Sequence, residues 1–89
     1  MDKFKKGALS ELIVSQDLIR EGYDVFWSIQ GTGPADIVAI HKDTGTVRLI
    51  DVKSESYVKK TGYKIHRYLT PIQKKIGVEI IEVDLEKVL

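Results

Sequence analysis

The 89-residue sequence predicts an α/β fold with a mixed four-stranded sheet, in the order α-β-β-β-α-β, and a short C-terminal helical turn. Three observations predict it. Apolar residues recur at helical spacing over residues 2–21. Two short runs rich in Val and Ile lie within residues 35–53 on either side of a polar turn, as in a β-hairpin. A helix start at Thr70 is followed, after Gly77, by an apolar strand over residues 78–83. We assign residues 1–89 to a single domain.

Composition narrows the class of protein. The chain has no cysteine, which excludes disulfides and Cys-based zinc sites and is typical of a reducing, intracellular setting. No apolar run approaches the roughly 20 residues that span a bilayer, and no signal peptide is evident. We therefore expect a soluble cytoplasmic domain with no membrane partner.

The first predicted helix covers residues 2–21 and is stopped by Gly22. Its apolar stripe is formed by Ala8, Leu12, Ser15 and Ile19, widened by Leu9, Ile13 and Leu18. Glu11 lies about 60° from the centre of that stripe, since each residue advances by about 100°. It can therefore border the core and point toward a cleft, although most such glutamates are simply solvated.

The first predicted strand covers residues 24–29, with Val25, Trp27 and Ile29 on one face and Phe26 and Ser28 on the other. Apolar residues on both faces favour a central strand. We therefore expect Trp27 in the core and not as a base-stacking platform.

The hairpin carries charged residues on its apolar faces. Asp36 shares a face with Val38 and Ile40, while Asp51 and Lys53 share a face with Val47 and Leu49. An apolar environment disfavours isolated charge by several kcal/mol, so such groups pair, bind metal or lie at the mouth of a cleft. Asp36 and Asp51 are hard oxygen ligands suited to Mg²⁺ or Mn²⁺.

Positive charge is concentrated after the hairpin. Residues 53–75 contain seven Lys or Arg residues and one acidic residue, Glu55, interleaved with Tyr57, Tyr63 and Tyr68. The stretch is either a solvated loop or edge strand, or a track that meets phosphates and stacks on a base or sugar. The candidate nucleic-acid contacts are Lys5, Lys6, Lys59, Lys60, Lys64, Arg67 and Lys74. The two histidines, His41 and His66, lack a metal-ligand pattern and are expected at the surface or in a turn.

The last elements begin with clear capping signals. Thr70 is a predicted N-cap, Pro71 the first helical residue and Gln73 the partner in a capping box. The strand over residues 78–83 follows, and Asp84 caps a last turn. That strand and the cluster Leu85, Val88 and Leu89 are expected to be only partly covered, which favours a homodimer.

The spacing of Pro34-Ala35-Asp36 and Asp51-Val52-Lys53 resembles the core motif of the PD-(D/E)XK nuclease superfamily, with one residue inserted between Pro and Asp. The run Lys6-Gly7-Ala8-Leu9-Ser10-Glu11, an apolar helix and Gly22-Tyr23-Asp24-Val25 together resemble the start of archaeal Holliday junction resolvases. This likeness extends through Lys53. It implies a restriction-endonuclease-like core and a magnesium- or manganese-dependent endonuclease acting on DNA, preferably branched DNA, as a homodimer.

The resemblance also implies roles for individual residues. Its metal ligands would be Glu11, Asp36, Asp51 and the backbone carbonyl of Val52, with Lys53 as a catalytic group. Gln73 matches a glutamine on the helix after Asp-x-Lys in some stand-alone phage and bacterial nucleases, although capping alone explains it. A phage-encoded protein would act in the host cell cytoplasm.

Several other functions fit the same sequence. A homing, restriction-type or nicking endonuclease would share this core. A non-catalytic nucleic-acid-binding module would keep the fold and the basic track. In a structural or regulatory interaction domain, Asp51 and Lys53 would form a surface ion pair.

Overall fold

Residues 1–55, 62 and 66–88 are described by the computed structural model, in which one long helix packs against a mixed four-stranded sheet. The elements are α1 (Lys3–Arg20), β1 (Tyr23–Trp27), β2 (Ile37–His41), β3 (Val47–Ser54), α2 (Pro71–Ile76), β4 (Val78–Val83) and α3 (Leu85–Val88). The strands lie side by side in chain order; β1–β2 and β2–β3 are antiparallel, and β3–β4 is parallel. The predicted α/β class, element order and mixed sheet are confirmed.

The limits of α1 follow from its capping residues. Asp2 is the N-cap, and its carboxylate accepts a hydrogen bond from the Lys5 backbone N–H at 2.9 Å. After the C-cap Glu21, Gly22 adopts φ 97°, which favours glycine. A Cβ at Gly22 would lie 3.0 Å from Nε2 of His41, so the residue also permits close approach of the helix end to β2.

The buried face of α1 differs from the predicted stripe. Ser10, Val14, Ser15 and Leu18 are buried, whereas the exposed fractions of Leu12 and Ile19 are 51% and 61%. Apolar residues occupy more than one side of this helix, so periodicity alone does not select the face that meets the sheet. The sheet contacts a narrower face, on which two serines provide room for close packing.

The core lies between α1 and the two central strands. Val14 and Leu18 of the helix form one cluster with Ile37, Ala39, Ile50, Val52 and Val83 of the sheet. Ile37, Ala39 and Ile50 have no exposed surface. The hairpin therefore provides the centre of the core as well as the predicted charged residues.

The prediction that β1 is a central strand is wrong. β1 lies at the edge of the sheet and pairs with β2. The exposed fractions of Phe26 and Trp27 are 54% and 58%, and Ile29, beyond the strand, is fully exposed. Trp27 is therefore not a core residue, because it lies at the end of an edge strand.

A charged cluster joins three strands on the side of the sheet that faces α1. The Arg48 guanidinium donates hydrogen bonds to both carboxylate oxygens of Glu79 and lies 5.5 Å from the ring centroid of Tyr23. Charge-assisted contacts with two donors hold side chains in a defined geometry. Arg48 thus links β3 to β1 and to β4.

The C-terminal elements form as their capping residues predict. Both hydrogen bonds of the Thr70–Gln73 capping box are present, and Gly77 ends α2 in the left-handed region at φ 81°. Asp84 Oδ1 accepts a hydrogen bond from the Glu86 backbone N–H at 3.1 Å, at the start of α3.

The apolar surface predicted at the C-terminus is partly covered, and the four residues between Val78 and Val83 are half-buried. Val78 and Val83 are buried, and Leu85 packs against the core. Val88 is 54% exposed, and Leu89 lies outside the described residues. Within the described part of the chain, no helix is long and apolar enough to cross a membrane.

Candidate active site

Asp36 and Asp51 meet at the end of the β2–β3 hairpin that lies away from its turn. Ile37 pairs with Ile50, so the ladder places Asp36 opposite Asp51. Residues directly opposite in an antiparallel pair share a face, with Cβ atoms about 4.5–5.5 Å apart. The Asp36 backbone N–H donates to the Ile50 carbonyl at 2.8 Å, which extends the pairing to this position. The pairing of the two strands therefore brings the two carboxylates together.

Backbone hydrogen bonding fixes the Asp36 carboxylate. Its Oδ2 accepts a hydrogen bond from the Val52 N–H at 2.7 Å. Asp51 is 8% exposed and lies in the middle of β3. Asp51 is therefore held within a central strand, and Asp36, the residue before β2, is fixed against that strand by backbone hydrogen bonds.

The electrostatics of Asp36 follow from this crowding. Burial raises the pKa of Asp36, and the hydrogen bond and negative charge of Asp51 raise it further. The Val52 N–H and the Lys53 ammonium act in the opposite direction. The two carboxylates therefore repel each other when both are ionised, and this repulsion costs stability.

Glu11 approaches the same pair from α1. Burial raises the pKa of Glu11, and the negative charges of Asp36 and Asp51 raise it further. Among residues 1–55, 62 and 66–88, no group of three or more acidic or histidine side chains is arranged to hold a metal ion. Glu11 therefore interacts electrostatically with both Asp36 and Asp51, and these two aspartates are in direct contact.

Lys53 lies at the rim of this cluster. Its Nζ is 3.6 Å from Asp51 Oδ1, and its side chain is 42% exposed while that of Asp51 is 11% exposed. The distance is an ion pair and is longer than a good hydrogen bond. The ammonium can therefore turn toward an anion that approaches from solvent.

The Asp36–Asp51 pair fits a divalent cation. The donors are hard carboxylate oxygens, the ligand type that Mg²⁺ and Mn²⁺ prefer. A cation would also offset the repulsion between the two acids. Glu11 and the Val52 carbonyl are the nearest predicted additions to this donor set.

Asp36→Asn should stabilise the metal-free protein at neutral pH. Asn keeps the acceptor for the Val52 N–H and removes one charge of the pair. The gain should be below about 1 kcal/mol, because solvent screens a partly exposed pair. Since folding raises the pKa of Asp36 above its usual 3.8, wild type gains stability as pH falls through that raised value. Urea denaturation in EDTA from about pH 8 to about pH 4 measures the free energy of unfolding of both proteins. The difference between Asp36→Asn and wild type should decrease as the pH is lowered. A difference that stays constant would contradict the prediction.

Gln73 connects α2 to the segment before Asp36. Its Oε1 accepts from the Thr70 N–H at 2.9 Å, and its Nε2 donates to the Pro34 carbonyl at 2.9 Å. The side chain is 8% exposed. Both ends of the predicted catalytic amide are thus occupied: Oε1 closes the capping box, and Nε2 positions the backbone two residues before Asp36.

Gln73→Glu should lower the free energy of unfolding by about 1–3 kcal/mol, because the buried Pro34 contact loses its donor while the cap acceptor remains. Urea denaturation at pH 8 measures the change. Lys74→Glu on the next, exposed residue is the matched control and should cost less than about 0.5 kcal/mol. An equal effect of the two substitutions would show that the Pro34 contact contributes nothing specific.

The predicted nucleic-acid contacts are placed only in part. Lys5, Lys6, Arg67 and Lys74 are exposed, while Lys59, Lys60 and Lys64 lie outside the described residues, as do Tyr57 and Tyr63. The first turn of α1 has no acidic residue. Lysines near a helix N-terminus oppose the macrodipole, so helix stability does not explain them.

The histidines have structural surroundings. His41 Nδ1 accepts from the backbone N–H groups of Asp43 and Thr44 at 3.2 and 3.3 Å, and its ring packs edge-on against Tyr23. His41 thus closes the hairpin turn, as expected. His66 is exposed.

Sequence reasoning did not identify Trp27 as a site residue. With Ala8, Glu11 and Leu12, it lines a pocket of about 160 Å³ that is open to solvent on one side. The alternation of β1 correctly placed Trp27 on the same face as Val25, which in the structure is the side facing α1. The sequence did not indicate that β1 lies at the edge of the sheet, where the Trp27 ring extends beyond the core.

Comparison of the chain with protein-family models, curated proteins and solved structures finds no match. The resemblance to PD-(D/E)XK nucleases therefore stays a prediction based on its motif residues.

Proposed function

We propose that this chain is a metal-dependent endonuclease that hydrolyses phosphodiester bonds in DNA. The observation that carries the proposal is the contact between Asp36 and Asp51, held by the central strands with Lys53 beside it. Bringing two carboxylates together costs stability, and such clusters of perturbed acids concentrate at functional sites. A purely structural sheet would gain from replacing either acid.

In this proposal each residue has a distinct role. Asp36, Asp51, Glu11 and the Val52 carbonyl would hold Mg²⁺ or Mn²⁺. When bound, such an ion lowers the pKa of coordinated water and offsets negative charge on the phosphate. Lys53 donates to a phosphate oxygen as negative charge develops, or orients the attacking water.

In this proposal, exposed lysine side chains bind the negatively charged DNA backbone. Lys5 and Lys6 lie on the same helix as Glu11, so they can contact phosphates that flank the acidic site. Such contacts carry no base information. We therefore propose recognition of DNA shape, with branched DNA as the preferred substrate and the cytoplasm as the place of action.

We further propose that the active form is a homodimer. Support comes from the sheet face opposite α1, where Phe26 and Val47 are 54% and 57% exposed. Apolar side chains at both ends of one sheet face would be covered by a two-fold contact. A dimer would present two sites to two strands.

The second candidate is a non-catalytic nucleic-acid-binding module. It is favoured by one observation: the described residues contain no preformed group of three metal-ligating side chains. Such a module would bind DNA through its lysines and leave it intact.

The test is to incubate the protein with supercoiled plasmid, single-stranded DNA and a four-way junction, in Mg²⁺, Mn²⁺ or EDTA. We expect cleavage in either metal and none in EDTA. The Asp36→Asn/Asp51→Asn double variant, purified identically, controls for a contaminating nuclease. Binding without cleavage under all metal conditions would refute the nuclease and favour the binding module.

A further inference from the structure

Trp27 is both exposed and held in one orientation. Its side chain is more than half exposed, yet its indole N–H donates to Ser15 Oγ at 2.9 Å. Ser15 Oγ in turn donates to the Glu11 carbonyl at 2.7 Å. A large aromatic ring fixed in this way loses little freedom when it meets a ligand.

The pocket beside the ring is apolar except for one carboxyl group. Ala8, Leu12 and Trp27 provide the apolar walls, and Glu11 provides the polar edge. Its volume of about 160 Å³ is below the roughly 300–1,000 Å³ of pockets that enclose a whole small molecule. It therefore suits a single planar group that enters from the open side.

This pocket adjoins the acidic site. Glu11 belongs to both, since it lines the pocket and interacts electrostatically with Asp36 and Asp51. Trp27 pairs with Ile37, the residue after Asp36, and the Ser28 N–H donates to the Asp36 carbonyl at 3.1 Å. A ligand bound at the acids can thus place its neighbouring group against Trp27.

The surface around the pocket indicates the chemistry of the occupant. Phe4, Ala8 and Leu12 follow at four-residue spacing along α1, and Phe4 is 78% exposed. Lys5 and Lys6 follow Phe4 in the same turn of the helix and are exposed. Apolar or aromatic surface combined with cations is what a nucleic-acid strand meets when its bases are unstacked, because bases stack on rings while lysines meet phosphates.

We propose that Trp27 stacks on an unpaired base next to the phosphate held at the acidic site. The inference rests on the proposed nuclease function and specifies its substrate class, which is nucleic acid with an unpaired nucleotide at the position of cleavage. Bases inside an uninterrupted duplex are already stacked and cannot reach the pocket without being extruded.

Trp27 is the only tryptophan of the chain, so its fluorescence reports contact directly. The probes are a short oligothymidylate and an abasic oligonucleotide with the same number of phosphates, added with Mg²⁺ to the Lys53→Ala variant, which keeps the proposed metal ligands and slows cleavage. We expect oligothymidylate to quench the emission and to bind about tenfold more tightly than the abasic strand. The abasic strand should bind through its phosphates without quenching.

Three further substitutions, each added to Lys53→Ala, separate stacking from folding. Trp27→Ala should bind both oligonucleotides equally by fluorescence anisotropy, and Trp27→Phe should keep most of the preference. Asp24→Ala, an exposed residue on the opposite face of the same strand, is the control and should retain the full preference. Equal binding of the two probes before Trp27 is changed would overturn the inference, as would loss of the preference in Asp24→Ala.

A cleavage assay tests this inference separately from the proposed nuclease function. Wild type should cut a duplex with one unpaired nucleotide about tenfold faster than the fully paired duplex, and Trp27→Ala should cut both at similar rates. Cleavage of both duplexes at equal rates by wild type would overturn the inference and leave the nuclease standing. Quenching of the Trp27 emission that increases with protein concentration in the absence of oligonucleotide would also overturn the inference. A second copy of the chain would then cover Trp27.

Discussion

Asp51→Asn should lower the rate of DNA cleavage by at least about 10²- to 10³-fold, the usual effect of removing one preorganised group that stabilises charge in the transition state. Asn fills the same space at this 8% exposed position, but it is a much weaker cation ligand. The substitution also removes the negative charge that faces Asp36. The melting temperature should therefore stay level or rise while activity is lost.

Asp43→Asn provides a matched control, because Asp43 is an exposed carboxylate in the turn of the same hairpin. It should cleave at the wild-type rate. Rates are compared on whichever substrate wild type cuts fastest, with saturating Mg²⁺. Wild-type activity in Asp51→Asn would remove this residue from the proposed metal site.

Ile50→Ala should lower the free energy of unfolding by about 2–5 kcal/mol, the range for truncating a fully buried isoleucine. Ile50 has no exposed surface and lies in the core cluster that joins α1 to the central strands. Domains are stable by only about 5–15 kcal/mol in total, and small ones lie near the lower limit. This single change should therefore populate the unfolded state measurably.

Val47→Ala tests whether that loss depends on burial. Val47 begins the same strand but is 57% exposed, so its truncation should cost about 0.5 kcal/mol or less. Urea denaturation of both variants at pH 8 gives the comparison. Similar losses would show that the core does not lie where the structure places it.

Elements with local signals were predictable from the sequence. The stop at Gly22 marked the end of α1, and the Thr70–Gln73 capping box marked the start of α2. Each of these signals lies within one helical turn of the end that it marks. The hairpin was predictable for the same reason, since its turn residues lie between two short apolar runs.

Features that depend on long-range packing were not predictable. Strand order decides which face of α1 meets the sheet and whether β1 is central or at an edge. No short segment of the sequence encodes strand order. Trp27 was therefore placed in the core, although the ring lies beside Glu11 at the surface. The contact between Gln73 and the Pro34 carbonyl joins residues 39 positions apart and has no local sequence signal.

The acidic site was predictable only in part. The motif predicted Asp36 and Asp51, and strand register brings them together because both belong to one hairpin. The place of Glu11 depends on how α1 crosses the sheet. Its proximity to the pair was implied by the family resemblance and by its position near the edge of the apolar stripe.

Binding of Mn²⁺ tests the central claim most directly, because it depends on the Asp36–Asp51 pair and not on the choice of substrate. Free Mn²⁺ can be followed by electron paramagnetic resonance during titration of wild type, Asp36→Asn, Asp51→Asn and Asp43→Asn. We expect at least one ion per chain in wild type and Asp43→Asn, weaker binding as protons compete at lower pH, and loss of that ion in the other two variants. Wild-type protein that binds no Mn²⁺, or Asp51→Asn that binds it equally well, would contradict the account.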